Sequence, residues 1–344
     1  MKSFSGAVNR IGIDMGSSQI RMYAGHTMIL EESSAAAISY ADGRAAAFGV
    51  NAQICYHREP ERYRLEWPVR HGTIADYYLT KDMLQYFLEK ALHRSVSRPS
   101  VMLSVPSGSS SVVRHALIDA ALHGGAQHAY LISAPAAAVL GAGMPLAGPS
   151  ARLSMVMGRD VCDCGLFSCG GIVAEGAVPF GGRDIDAGIR GYMLDTYRIM
   201  IGNQEAEEIK RELATVTEPA AGAAINVRGR RAEDGVEVLL QLTAEELYPV
   251  MQRLLLPVLR LLKKVVRAAG PEMAEDFLQN GLLLSGGSAL LSGLGDWLAG
   301  EMGIPVLVPD HAENVVAAGC FAALGEYKKL PGIVECKEMY DGGK

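Results

Sequence analysis

The sequence predicts an α/β protein made of two copies of one hairpin-led unit, with a ligand cleft between them. Three observations carry this. Strands and helices recur in the same βββαβα order twice, at about 11–145 and about 152–325. Near the start, Ile11–Gln19 (IGIDMGSSQ) reads as a strand running into a polar tip, and Gln19-Ile20-Arg21-Met22-Tyr23 alternates again on the way back. Late in the chain, a strand at Gly281–Leu284 ends in the glycine turn Ser285-Gly286-Gly287-Ser288. A polar hairpin tip offers backbone N–H groups and short hydroxyls to a phosphate, with a carboxylate beside it for a hydrated cation. It is not a P-loop, since no Gly-Lys-Ser/Thr follows and no helix opens there. On its own the motif also fits a plain strand–turn in which Asp14 is a turn residue.

The remaining elements follow in order. Met28–Ile38 continues as strand and Asp42-Gly43 marks a turn. Residues 51–66 suggest a short helix and a loop. A helix is expected over 80–93, with Thr80 as N-cap and Met83, Leu84, Phe87, Leu88, Ala91 and Leu92 as its apolar face. Val101–Val105 is a buried strand ending in Pro106-Ser107-Gly108, and Ser109–Ser111 caps the next helix. Tyr130–Ile132 is a strand, followed by a small-residue helix at 134–142 with Pro135 in its first turn. The second set opens with strands at 153–157, 162–167 and 172–178, then helices at about 184–201 and 206–214. A long helix over 243–266 should bend at Pro249 and Pro257. A strand at 306–308 and a helix at 315–324 close the chain.

Composition narrows the class. At 344 residues there is room for two cores, because domains usually run about 100–200 residues. The net charge of −6 argues against a general nucleic-acid binder. Cysteines 55, 162, 164, 169, 320 and 336 follow no signal peptide, which suggests reduced thiols in the cytoplasm. Cys162 and Cys164 share one strand face and read as buried small hydrophobes, since no fourth ligand sits at metal spacing. His57, His71, His93, His115, His123, His128 and His311 show no ligand spacing either. No run of about 18 apolar residues suggests a membrane span. The basic group at Arg228, Arg230 and Arg231 reads as a solvated hairpin.

Ten stretches, taken together and in one order, resemble the MreB family of bacterial actins, within the actin, heat-shock chaperone and sugar-kinase superfamily. They are IGIDMGSS at 11–18, GTIADYYLTKDMLQYFLEK at 72–90, VPSG at 105–108, AALHGGAQHAYLISAP at 120–135 and GAGMPL at 141–146. The others are CGGIV at 169–173, FGGRDID at 180–186, AEEIK at 206–210, GLLLSGGSALLSGL at 281–294 and GIPV at 303–306. The resemblance implies an actin-like ATPase fold with two smaller inserted subdomains. Its expected division is 1–32, 67–145 and 315–344 (IA), 33–66 (IB), 146–182 and 243–314 (IIA), and 183–242 (IIB). It also implies a site for ATP or ADP with Mg²⁺. Asp14 would hold the metal through water, and Gly16, Ser17, Ser18 and Gln19 would face the phosphates. Glu207, Glu208, Ile209 and Lys210 would surround ribose and adenine, and Gly286, Gly287, Ser288 and Ala289 would form the adenosine loop.

The resemblance also locates departures. The family's second phosphate hairpin reads Asp-x-Gly-Gly-Gly-Thr-Thr-Glu, and VMGRDVCD occupies that window here. Val156 stands where a metal-linked Asp is expected, and Arg159 and Asp160 replace two glycines after Gly158. Asp160 and Asp163 are the carboxylates close enough in sequence to take the missing one's place; alternatively Arg159 touches the phosphates. Either needs a changed loop, because non-glycine residues resist positive φ. The Glu expected three residues past VPSG to position water is Ser111, and the family's Glu-Glu-Pro is Ser133-Ala134-Pro135. Hydrolysis of a phosphoanhydride is mostly positioning and electrostatics, so binding should outlive catalysis.

By family resemblance, the expected partner is the chain itself, in protofilaments, together with a standard MreB and cell-wall elongation proteins. The expected location is the cytoplasm, peripheral at the inner face of the cell membrane. The family's membrane contacts use an amphipathic N-terminus or an apolar loop. Here LHRSVSR at 92–98 has few bulky apolar groups, and MKSFSGAVNR carries only Phe4 and Val8, so neither segment makes a strong anchor. Three readings result: a shape-supporting polymer that binds ATP, a non-polymerising paralogue that regulates a standard MreB, and a small-molecule kinase. The kinase reading lacks a recognisable sugar-binding motif at 72–76 or 180–186.

Overall fold

The computed structural model describes residues 10–92 and 98–338. The segments carrying Phe4, Val8, His93 and most of the 92–98 loop lie outside the described residues.

The first half opens with β1 (Arg10–Met15), β2 (Gln19–Ala24) and β3 (Thr27–Ser33). A small insert follows, made of β4 (Ala36–Ser39), β5 (Ala45–Phe48), α1 (Val50–Arg58) and β6 (Tyr63–Glu66). Then come β7 (Val69–Arg70), β8 (Thr73–Ile74), α2 (Tyr77–Leu92), β9 (Ser100–Val105), α3 (Ser111–His123), β10 (His128–Ser133) and α4 (Ala134–Gly141). The second half opens the same way, with β11 (Arg152–Met157), β12 (Cys162–Ser168) and β13 (Gly171–Val178). It continues through α5 (Gly182–Tyr197), β14 (Ile199–Met200), α6 (Asn203–Glu212), β15 (Ala224–Arg231) and β16 (Glu237–Thr243). The chain ends with α7 (Ala244–Leu254), α8 (Leu256–Arg267), α9 (Ala274–Asn280), β17 (Leu282–Ser285), α10 (Leu294–Met302), β18 (Val306–Leu307), α11 (Val315–Glu326) and β19 (Val334–Glu338).

Sheet topology shows the duplication. One sheet runs β3-β2-β1-β9-β10 and the other β13-β12-β11-β17-β18, each with two antiparallel hairpin pairs followed by two parallel pairs. The first sheet gains β19, antiparallel to β10. Register carries the equivalence down to residues: Asp14 pairs with Arg21 across the first hairpin as Val156 pairs with Asp163 across the second.

β1 is buried on both faces. Ile11 and Ile13 enter the first-half core with Met83, Phe87 and Leu117. Gly12 faces α11 instead, where an added Cβ would lie 2.2 Å from Phe321 N. A second core fills the other half, and a third joins the two halves through α4, α11, Met102, Phe167 and Leu283. Within that third core, α4 and α11 meet backbone to backbone: a Cβ on Gly319 would lie 1.7 Å from Ala137 O, and one on Gly141 1.9 Å from Val315 O.

Several expectations are corrected. α2 begins at Tyr77, and Asp76 rather than Thr80 caps it, its Oδ1 accepting from Leu79 N at 2.9 Å. Buried Thr80 donates its hydroxyl to Asp76 O, which satisfies the polar group inside the helix. The long helix over 243–266 is two helices broken at Leu255: Pro257 starts the second in its first turn, while Pro249 is tolerated inside the first. The expected loop after the short helix contains β6, which pairs with β4.

Candidate functional site

A concavity of about 590 Å³ lies between the halves and is lined by both hairpin tips, the start of α5, the middle of α6 and the 286–292 turn. The first tip spans Gly16, Ser17 and Ser18 and ends at Gln19, and all four border the cleft. Gly16 lets the tip close, since a Cβ there would meet Gln19 O at 2.7 Å. Asp14 stands just inside, accepting a hydrogen bond from Ser104 Oγ at 2.8 Å. Burial pushes its carboxyl upward, against the pull of that hydrogen bond and of Arg21.

The second tip is the more heavily tied. Gly158 N donates to Val161 O at 2.8 Å, while Gly158 O accepts from Gly182 N at 3.1 Å and Ser288 Oγ at 2.8 Å. Arg159 O accepts from Arg183 N at 2.8 Å. None of residues 158–161 has positive φ, so Arg159 and Asp160 replace glycines without backbone strain. Asp160 is buried yet borders the cleft, with Arg183 Nε 3.0 Å from its Oδ1. Arg159 reaches across the cleft toward Glu207, Nη1 to Oε2 at 3.9 Å, with a third of its side chain exposed.

The other side combines α6 with the glycine turn. Glu207 and Lys210 both border the cleft. Lys210 Nζ is held by Asp186 Oδ1 at 2.6 Å and by Gly182 O at 3.3 Å. Gly286 adopts φ 90°, and a Cβ there would come 2.5 Å from Met157 O, so the turn packs directly on the second hairpin. Gly287 has open space where a Cβ would be, leaving its backbone approachable from the cleft.

Not every expected residue arrives. Ser111 is exposed at the first turn of α3 and does not border the cleft. Ile209 and Ala289 are buried in the second-half core, and Glu208 faces solvent on the far side of α6. Residues outside the expected set do arrive. Ala134 lines the cleft at the end of β10, and Arg211, Leu290, Leu291 and Glu313 line it elsewhere. Helical spacing gives Arg211 its place one step beyond Lys210, but nothing in the sequence signals Glu313.

Asp163 also borders the cleft. It is 2% exposed, its Oδ2 accepts from Ser107 N at 2.9 Å, and Oδ1 has no hydrogen-bond partner. Burial pushes its carboxyl up to about 7, opposed by the Ser107 N–H and reinforced by Glu175. Glu175 Oε1 in turn accepts from Gly108 N at 3.1 Å. Two acids of the second half thus hold two successive backbone N–H groups of the first.

Comparison with known proteins agrees with this architecture. The family model described as MreB/Mbl protein matches residues 8–331. The cell shape-determining protein Mbl of Bacillus subtilis is 31% identical over 323 residues, covering 93% of this chain and 97% of its own. MreB of Escherichia coli K12 is 32% identical over 332 residues, covering 94% and 96%. Among solved structures, MreB5 of Spiroplasma citri bound to ADP superposes with a TM-score of 0.86 at 24% identity, covering 93% of this chain and 97% of that one. A MamK double helical filament gives a TM-score of 0.76 at 16% identity, covering 92% and 98%. These two superpositions establish the actin-like fold.

Proposed function

Because the chain belongs to the MreB/Mbl family, we propose that it is a cytoskeletal protein that binds ATP or ADP in the cleft, assembles into protofilaments supporting cell shape and cell-wall synthesis, and hydrolyses ATP slowly. The observation that carries this reading is the pair of hairpin tips meeting across the cleft with a carboxylate behind the first and Val156 behind the second. The first tip supplies N–H groups and two serine hydroxyls for phosphate oxygens. Asp14 would hold Mg²⁺ through water, and a cation there offsets the cost of ionising a buried carboxyl. Mg²⁺ supplies neutralisation of phosphate charge. With Val156 in the second half, that hold is one-sided, and Arg159 contributes positive charge from the protein itself.

Glu207 and Lys210 would meet the ribose and adenine, beside the open backbone of Gly287. Assembly is proposed to be longitudinal, the 183–242 region of one subunit meeting the 33–66 region of the next. The proposed setting is the cytoplasm at the inner face of the membrane, alongside a standard MreB and cell-wall elongation proteins.

The test is calorimetry and thermal melting with Mg-ATP and Mg-ADP, followed by electron microscopy of concentrated protein. Binding weaker than a standard MreB, with filaments, is the expected result. No heat and an unmoved melting curve at millimolar nucleotide would sink the binding claim. The acid-free Ser133-Ala134-Pro135 and Val156 also favour a second reading, a non-polymerising regulator that keeps nucleotide as a structural ligand. Nucleotide binding with monomers alone, with and without lipid, would select it.

A further inference from the structure

Resting on the reading that a nucleotide binds in this cleft, we propose that Arg159 takes over part of the charge a divalent cation carries, so that the diphosphate is held with little dependence on Mg²⁺. The starting point is a change of charge at one hairpin. Relative to the expected motif, Val156 removes a carboxylate from behind the second tip, and Arg159 places a guanidinium on the tip itself. Both changes run in the same direction. A cation bound there loses a partner, and a polyanion gains one.

Packing aims the side chain. Arg159 O accepts from Arg183 N at 2.8 Å, while Gly158 O accepts from Gly182 N and Ser288 Oγ, so the carbonyls of the tip are engaged on the side of α5 and the glycine turn. A Cβ on Gly181 would lie 2.4 Å from both Arg159 C and Arg159 O, which leaves no room for a side chain between the tip and the start of α5. The Arg159 side chain leaves in another direction and borders the cleft. Its root is thus fixed by backbone contacts while its charged end stays one-third exposed.

The guanidinium is also available. Of the other cations bordering the cleft, Arg21 is paired with Glu31 at 2.9 Å and Lys210 with Asp186 at 2.6 Å. Arg211 follows Lys210 in the last turn of α6, on the side expected to meet the nucleoside. Arg159 rises from a phosphate hairpin, and its one ion pair among the described residues is with Glu207. At 3.9 Å that contact is longer than a hydrogen bond, and both side chains are partly solvated. Such a pair contributes little and is readily exchanged. A phosphate oxygen offers the guanidinium a charge-assisted bond in its place. Arg159 then leaves Glu207, whose carboxylate becomes free for the ribose hydroxyls. One side chain thereby links recognition of the diphosphate to recognition of the sugar.

The experiment is calorimetry with ADP and with adenosine, each in Mg²⁺ and in EDTA, on wild type, Arg159→Gln and Arg159→Lys. Wild type should bind ADP in EDTA within about tenfold of its affinity in Mg²⁺. Arg159→Gln should bind ADP in EDTA about 10–10²-fold more weakly than wild type, the loss expected for a hydrogen bond to a charged group. Its affinity for adenosine should not fall, because the charge acts on phosphate. Adding Mg²⁺ should recover much of the loss in Arg159→Gln, and Arg159→Lys should keep part of the wild-type affinity in EDTA. ADP binding by wild type that vanishes in EDTA while Mg-ADP still binds overturns the proposal. So does an Arg159→Gln protein with unchanged ADP affinity, or one that loses ADP and adenosine alike. If Arg159→Gln fails to fold, the wild-type comparison and Arg159→Lys decide the matter. Wild type that binds ADP under neither condition would remove the functional reading itself.

Discussion

Asp163 and Asp14 give this cleft an unusual dependence on pH at the level of single residues. Burial pushes both carboxyls above their ordinary 3.8, Asp163 to about 7. A raised acid keeps its proton in the folded state where the unfolded chain has released it. Stability contributed by these groups is therefore fully present below about 4 and declines as pH rises toward 7. Urea unfolding at several pH values should show that decline, and Asp163→Asn should leave only the part due to Asp14. Ser111→Glu tests a different residue. An acid at the first turn of α3 faces the positive end of that helix, so a gain of about 0.3–1 kcal/mol is expected in denaturant midpoints. Little change in phosphate release should accompany it, because the position is exposed and off the cleft. Ser111 shows why site residues were only partly legible. Matching a motif fixes a place in the chain, but whether a side chain reaches a ligand depends on helix phase and docking. The same limit applies to Ile209 and Ala289, whose motifs border the cleft while their own side chains turn into the core.

Elements were read most faithfully where one periodicity dominated. The hairpins of β1–β2 and β11–β12 were plain in the alternation of Ile11 and Ile13, and of Cys162 and Cys164. Thr243 was seen as the start of a helix, and it caps α7 in a reciprocal pair with Glu246. β19 was missed because its contact partner, β10, lies some two hundred residues earlier and nothing local marks a five-residue edge strand. Gly12 was read as strand alternation, yet its reason is α11. Gly12→Ala would press a methyl against Phe321 N and Ala317 O, both backbone atoms that cannot swing aside. A loss of about 1–3 kcal/mol or more is expected from such overpacking, measurable by thermal or urea unfolding.

At the scale of the molecule, the two halves are gripped on one side by Asp163 and Glu175 and joined at the base by α4 and α11. Nucleotide should bridge what remains open. Hydrogen exchange with Mg-ADP is expected to slow at both hairpin tips and at 286–288, with little change in the outer faces of α2 and α8; protection confined to one half would contradict a ligand held by both. The contact between α4 and α11 carries a mechanical consequence. Where Gly141 and Gly319 face the opposite backbone, neither carries a side chain to interdigitate, and the two helices approach more closely there than any larger residue would allow. Treated as a bearing, this contact would turn a small rotation of the halves into larger travel at the hairpin tips. Gly319→Ala would force the helices apart at the bearing and set the jaws at a different resting angle. Small-angle scattering with and without Mg-ADP would read that angle, and an unaltered profile in the variant would show that the axis lies elsewhere.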